Sequence, residues 1–296
     1  MSQIEVLRDG SFRNDAHLRR QIHDVASGSF THDDARLDGE IDRLGTLYLS
    51  QDRRGDLQGF FLVNYESLEI DGRELPVLYL GVCAPRPDVK GTGKVVRLIQ
   101  QSIRDAQQWE DANGRKLIVW ATTMNPFVYL CARKLFADTQ PYPDGTFTAE
   151  KQRIAQAVAS RIGADLPAEA HPFILPRHAP SIRLADDEIR RIATACARRP
   201  ISLLDRFGVD EVQGDRLLLV MEIPARPREA ELESKSKARS LTMPDPAHRR
   251  LAEAAESAER IDALKDSLED MKSGRVAPTE EMLADMQRIL EAKKRP

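Results

Sequence analysis

Residues 78–100 read LYLGVCAPRPDVKGTGKVVRLIQ. The stretch divides into an apolar run, a loop broken by Pro85 and Pro87, a Gly91-x-Gly93 turn, and then a helix. In that helix Val96, Ile99, Ile103 and Ala106 recur three and four apart. Strand, glycine loop and helix start together make a seat for phosphate. Close glycines let backbone N–H groups converge on an anion, and the helix end adds partial positive charge. Lys90 and Lys94 flank the loop, while Asp88 opposes them.

Two phosphate loops do not fit. The nucleotide-triphosphate loop needs glycine where Asp88 stands and a hydroxyl where Val95 stands. The dinucleotide fingerprint needs a third glycine where Val96 stands. A loop for the pyrophosphate of coenzyme A needs only what residues 89–94 supply. Without a ligand, the same glycines simply turn a strand into a helix.

Working outward, β-like runs cover 46–50, 59–70 and 75–83, with Asp71-Gly72 as a hairpin turn between the last two. Upstream lie a short strand, IEVL, and amphipathic helices over 15–26 and 34–44. Downstream, Asn113-Gly114 stops the helix, 116–123 is an apolar strand, and Asn125-Pro126 opens another helix as N-cap and first turn. Then follow a helix over 148–162, a proline-rich loop over 171–181, a helix over 185–198 and a strand over 215–223. The last aromatic residue is Phe207, and charge is dense from Arg228 onward. This predicts a packed domain over 1–224, with a helical insertion at 148–214 before its last strand. A polar helical tail over 225–296 follows, as two helices near 246–271 and 278–293.

Composition excludes several classes. The chain has 296 residues, 44 Lys and Arg against 47 Asp and Glu, and a formal net charge of −3. That balance argues against nucleic acid as partner. No run approaches the roughly 18 apolar residues of a membrane helix, and the start MSQIEVLRDG has no apolar core of signal-peptide length. Cys83, Cys131 and Cys196 have no metal spacing and read as reduced thiols. The expected setting is cytoplasmic, with no metal and no membrane.

The block from Ile4 to Phe136 resembles the GNAT superfamily of acyl-CoA-dependent N-acyltransferases. The family motif is a strand ending V-x-V-x-P, two residues, then [RQ]-x-x-G-x-[GA]. Here Pro85, Gly91 and Gly93 fall at that spacing, with Asp88 in place of Arg or Gln. The family's Asn after the next strand matches Asn125. Its Tyr seven residues later is Ala132 here, and Tyr129, one turn earlier, is the stand-in. The resemblance implies an α+β fold with a mixed, mostly antiparallel twisted sheet flanked by helices. It implies acetyl-CoA or another acyl-CoA as cosubstrate, held by Val82, Cys83, Val89, Lys90, Gly91, Thr92, Gly93, Lys94 and Asn125. Tyr129 would protonate the leaving thiolate.

The implied chemistry is transfer of an acetyl or longer acyl group to an amine, on a small molecule or a peptide. The strand before the loop splays from its neighbour and pairs with pantetheine, and the N–H of Val82 or Cys83 faces the thioester oxygen. Tyr79, Glu66 and Glu69 are candidate bases. Cys83 reads as packing, and His171 and His178 as surface histidines. The other reading is a catalytically weak coenzyme A-binding or protein-interaction module. Its helical tail, with 14 Lys and Arg against 15 Asp and Glu over 228–296, would dimerise or bind a partner. Residues 267–290 resemble the C-terminal helices of bacterial antitoxins.

Overall fold

The computed structural model describes residues 3–8, 10–31, 33–164, 166, 171–198, 204, 207–210 and 212–226. These belong to one compact unit, Met1–Arg226. The predicted tail helices lie outside the described residues.

In chain order the elements are β1 (Gln3–Leu7), α1 (Ala16–Ser27), β2 (Phe30–Thr31), α2 (Asp34–Arg43), β3 (Thr46–Gln51), β4 (Leu57–Ile70), β5 (Arg73–Pro85), α3 (Lys94–Asn113), β6 (Ile118–Thr123), α4 (Pro126–Leu135) and β7 (Ala137–Gln140). Then come α5 (Ala149–Arg161), β8 (Ile174–Leu175), β9 (Arg183–Leu184), α6 (Asp186–Arg198) and β10 (Arg216–Glu222). The main sheet has the order β1-β3-β4-β5-β6-β10-β7, and β8 adds to β10. Among the described residues, β5 and β6 alone pair in parallel; the other pairs in this sheet are antiparallel.

Local chemistry fixes most of these elements. At the β4–β5 hairpin, Asp71 and Gly72 both have left-handed backbone, φ 52° and 71°, as a two-residue turn matched to strand twist requires. Asp15, Asp33, Asn125 and Thr148 cap α1, α2, α4 and α5 with their side chains. Residues 217–221 of β10 are fully buried, so this strand is covered on both faces and reads as a continuous apolar run. Lys151 of α5 is also buried; its Nζ reaches Glu222 of β10 at 2.6 Å and Asp138 at 3.4 Å.

Side chains alternate across the sheet and sort the helices onto its two faces. Tyr48 donates to Asp105 of α3 at 2.8 Å, and Tyr65 stacks on Trp109 of α3 at 6.4 Å. Tyr79 points the other way, beneath the Arg43 guanidinium of α2.

Candidate functional site

The site lies where β5 and β6 part. Their register runs from Val77 opposite Ile118 to Leu80 opposite Ala121 and ends there. From Gly81 on, β5 continues on β4 alone, through a register shift at Phe61/Val63, to Ala84 opposite Phe60 and Pro85 opposite Gly59. The edge of β5 facing β6 is therefore without a strand partner over its last residues. Val82 and Cys83 lie on this freed stretch, half-buried.

The freed edge runs straight into the glycine loop. Pro87–Val89 make one tight turn, and Gly91 and Gly93 take left-handed φ of 79° and 77°. A Cβ on either would meet nothing within 4 Å, so backbone conformation, not crowding, demands glycine. Within the loop, the amides of Val89, Lys90 and Thr92 already donate to Arg86, Pro87 and Val89 carbonyls. Among the described residues, the Gly91 and Gly93 amides meet no protein acceptor. Gly93 also N-caps α3 without a side chain to offer, which leaves the first amides of a 20-residue helix pointing at the loop. The expectation that all amides of residues 89–94 gather on an anion is thus corrected: three of them shape the turn, and Gly91, Gly93 and Lys94 remain.

The charge of Asp88, which the sequence sets against an anion, is partly offset by Arg86. The Asp88 carboxylate accepts a two-pronged bond from Arg86, at 2.6 and 2.7 Å. That bond holds its pKa below the usual carboxylate range.

Asn125 sits at the end of β6, across the gap. Its Oδ1 caps α4 by accepting from the Phe127 amide at 2.9 Å, and its Nδ2 donates to Glu188 of α6 at 3.1 Å. Lys90 donates to the same carboxylate at 3.1 Å and to the Gly28 carbonyl at 2.5 Å. Sequence reading missed Glu188. It is one of three acids, Asp186, Asp187 and Glu188, in the first turn of α6, and nothing in that run marks which one turns inward. A cavity of about 720 Å³ lies here, lined by Pro87, Lys90 and Phe127 and by Asp187, Arg190, Arg191 and Thr194 of α6.

Other predicted residues lie elsewhere. Tyr129 is fully buried, its hydroxyl donates to the Pro141 carbonyl at 2.8 Å, and its ring meets Phe207 edge-on. Burial pushes its pKa up to about 12. In this structure the phenol proton, expected to go to the leaving thiolate, is donated within the core instead.

Cys83 is a packing residue, its thiol pushed up to about 12 by burial. Tyr79 stacks on Trp120 at 4.0 Å, and burial raises its pKa. Glu66 is held by Arg161 at 3.1 Å and Arg43 at 3.5 Å, and Glu69 is exposed. The two histidines are half-buried, not on the surface. His171 packs among Phe147, Phe173 and Phe207. His178 has its pKa lowered to about 4 by burial and by Arg36, Arg216 and Arg43. Among the described residues no group of three or more His, Cys, Asp or Glu could hold a metal ion, and no helix is long and apolar enough to cross a membrane.

No protein-family model matches the chain, and no curated protein matches it. Similar solved structures include a probable N-acyltransferase from Enterococcus faecalis, 10% identical, with a TM-score of 0.35. The match covers 46% of this chain and 32% of that one, so this chain spans about a third of that relative's length. Another is AtaT complexed with acetyl-methionyl-tRNAfMet, 14% identical over 46% of this chain and 85% of that one, TM-score 0.33. A third is Naa20 of Chaetomium thermophilum with a bisubstrate analogue, 13% identical over 48% of this chain and 76% of that one, TM-score 0.33. The chain's own geometry is α+β: a mostly antiparallel mixed sheet flanked by helices, in which the parallel pair β5–β6 parts before a glycine loop.

Proposed function

We propose that the chain is an acyl-CoA-dependent N-acyltransferase, moving an acetyl or longer acyl group from coenzyme A to an amine on a small molecule or peptide. One observation carries this reading. β5 leaves β6 after Leu80 and delivers its freed edge to an uncapped helix start behind Gly91 and Gly93. A pantetheine arm is a chain of amides and adds to such an edge as a peptide strand would. The diphosphate that follows it reaches the amides of Gly91, Gly93 and Lys94.

Acyl transfer from a thioester needs the carbonyl polarised and the amine held in line as a free base. The N–H of Val82 or Cys83 lies on the unpartnered stretch of β5 and would meet the carbonyl oxygen as charge builds there. Cys83 takes no covalent part, because its raised pKa keeps the thiol protonated at neutral pH. Glu66 and Tyr79 are held by neighbours, so the amine's proton leaves to solvent at the mouth of the gap. The thiolate takes its proton there too.

Incubation with acetyl-CoA or a longer acyl-CoA and a panel of amines, followed by release of free thiol, tests the reading. Amine-dependent release is expected. Coenzyme A binding without release on any amine would overturn transfer and leave a binding module.

A further inference from the structure

Glu188 fastens the insertion to both loops that the proposed cofactor must use. Its side chain is 8% exposed. Oε1 accepts from Asn125 Nδ2, at the end of β6; Oε2 accepts from Lys90 Nζ in the glycine loop, and from Arg191 of α6 itself at 2.9 Å. One side chain of the insertion therefore spans the gap between the ends of β5 and β6. The start of α6 is tied down as well: Ala185 N donates to the Ser29 carbonyl at 3.1 Å, and Leu184 of β9 pairs with Phe30 of β2. Gly28, next to this tie, lies so close to the loop that a Cβ there would stand 2.3 Å from Pro87 Cγ.

In this arrangement Lys90 and Asn125 have little left to give a ligand. Asn125 has spent its carbonyl oxygen on the Phe127 amide and an N–H on Glu188. The Lys90 ammonium, with its side chain 10% exposed, faces Glu188 and the Gly28 carbonyl. A carboxylate thus sits beside the glycine loop as an anion supplied by the chain itself.

We propose that α6 is a strap that the cofactor displaces, with Glu188 standing in for the incoming diphosphate. The inference rests on the acyl-CoA reading above. A diphosphate carries more charge than a carboxylate and can use Lys90 together with the Gly91 and Gly93 amides, which Glu188 does not reach. The exchange is cheap, because a buried ion pair repays little more than the desolvation of its two charges. The apparent affinity for coenzyme A is then the intrinsic affinity multiplied by the fraction of molecules with the strap released. The insertion makes cofactor entry conditional on freeing α6.

Hydrogen exchange on the full chain, with and without coenzyme A, tests this directly. The expected result is faster exchange over the first two turns of α6 when coenzyme A binds, with slower exchange at Gly91, Gly93 and the first turn of α3. Slower exchange in α6 on binding would overturn the strap and make that helix a wall of the site. Independently, Glu188→Gln should tighten coenzyme A about tenfold, about 1.4 kcal/mol. Unchanged or weaker binding would show that Glu188 positions Lys90 and Asn125 instead. If neither form binds coenzyme A, the cofactor reading and the strap that rests on it both fail, whereas binding without faster exchange in α6 removes the strap alone.

Discussion

Leu80 of β5 and Ala121 of β6 are the last paired residues of the parallel ladder, and the next residue, Gly81, begins the freed edge. Gly81 is glycine for reasons of space. A Cβ there would lie 2.4 Å from Leu44 Cδ1 and 3.0 Å from the Leu62 carbonyl oxygen, with Leu44 fully buried. Gly81→Ala is expected to destabilise the protein by about 1–3 kcal/mol, as overpacking does. Denaturant unfolding measures it; a wild-type midpoint would show that the strands have slack at the parting point.

The glycine loop gives a different outcome. Gly93 holds φ 77° with open space where a Cβ would go. Gly93→Ala therefore costs about 1–2 kcal/mol of backbone strain but meets no clash. Relief of that strain turns the Gly93 and Lys94 amides away, losing a charge-assisted bond worth about 1.5–3 kcal/mol. Coenzyme A affinity should fall by about tenfold or more in a protein that still melts cooperatively. Equal affinity in the two forms would remove the loop from the cofactor site.

Tyr129 should behave as a core residue. Tyr129→Phe keeps the ring against Phe207 and loses only the bond to the Pro141 carbonyl. A cost of about 0.5–1.5 kcal/mol is expected, with turnover per folded molecule unchanged. A large fall in turnover at unchanged stability would restore the proton-donor role.

His178 predicts an acid limb in stability. Its folded pKa is lowered from 6.5 to about 4, first by burial and then by Arg36, Arg216 and Arg43. Between those values the unfolded chain binds the proton and the folded one does not. This group's contribution is therefore present in full above pH 6.5 and is lost as pH falls toward 4. His178→Gln should flatten that part of the stability profile, measured by denaturant midpoints at a series of pH values. An unaltered slope would contradict the assignment.

What the sequence revealed and what it hid follow a physical division. Local signals were legible: glycines at positive φ, Asx caps, the Asp71-Gly72 turn, and the uniform apolar run of β10. Pairing at long range was not. β7 is four residues with only Thr139 and Gln140 buried, and β8 and β9 are two-residue strands held by β10 and β2, so segments this short carry no pattern that announces them. The placement of β10 between β6 and β7 is likewise set by tertiary contacts. In the site, the glycine loop was readable because its backbone demands glycine. The pairing of Asp88 with Arg86 was not legible, because it depends on side-chain geometry. Tyr129, three positions before the expected one, sits about 60° round the helix from it. That rotation sends its hydroxyl to Pro141 rather than to the gap.

Calorimetric titration of the full chain with acetyl-CoA reads cofactor binding at the glycine loop without any need for an acceptor. Saturable one-to-one binding with micromolar affinity is expected, weakened in Gly93→Ala and strengthened in Glu188→Gln. Absence of binding to acetyl-CoA and to longer acyl-CoAs, by wild type and by Glu188→Gln alike, would contradict the acyl-CoA reading.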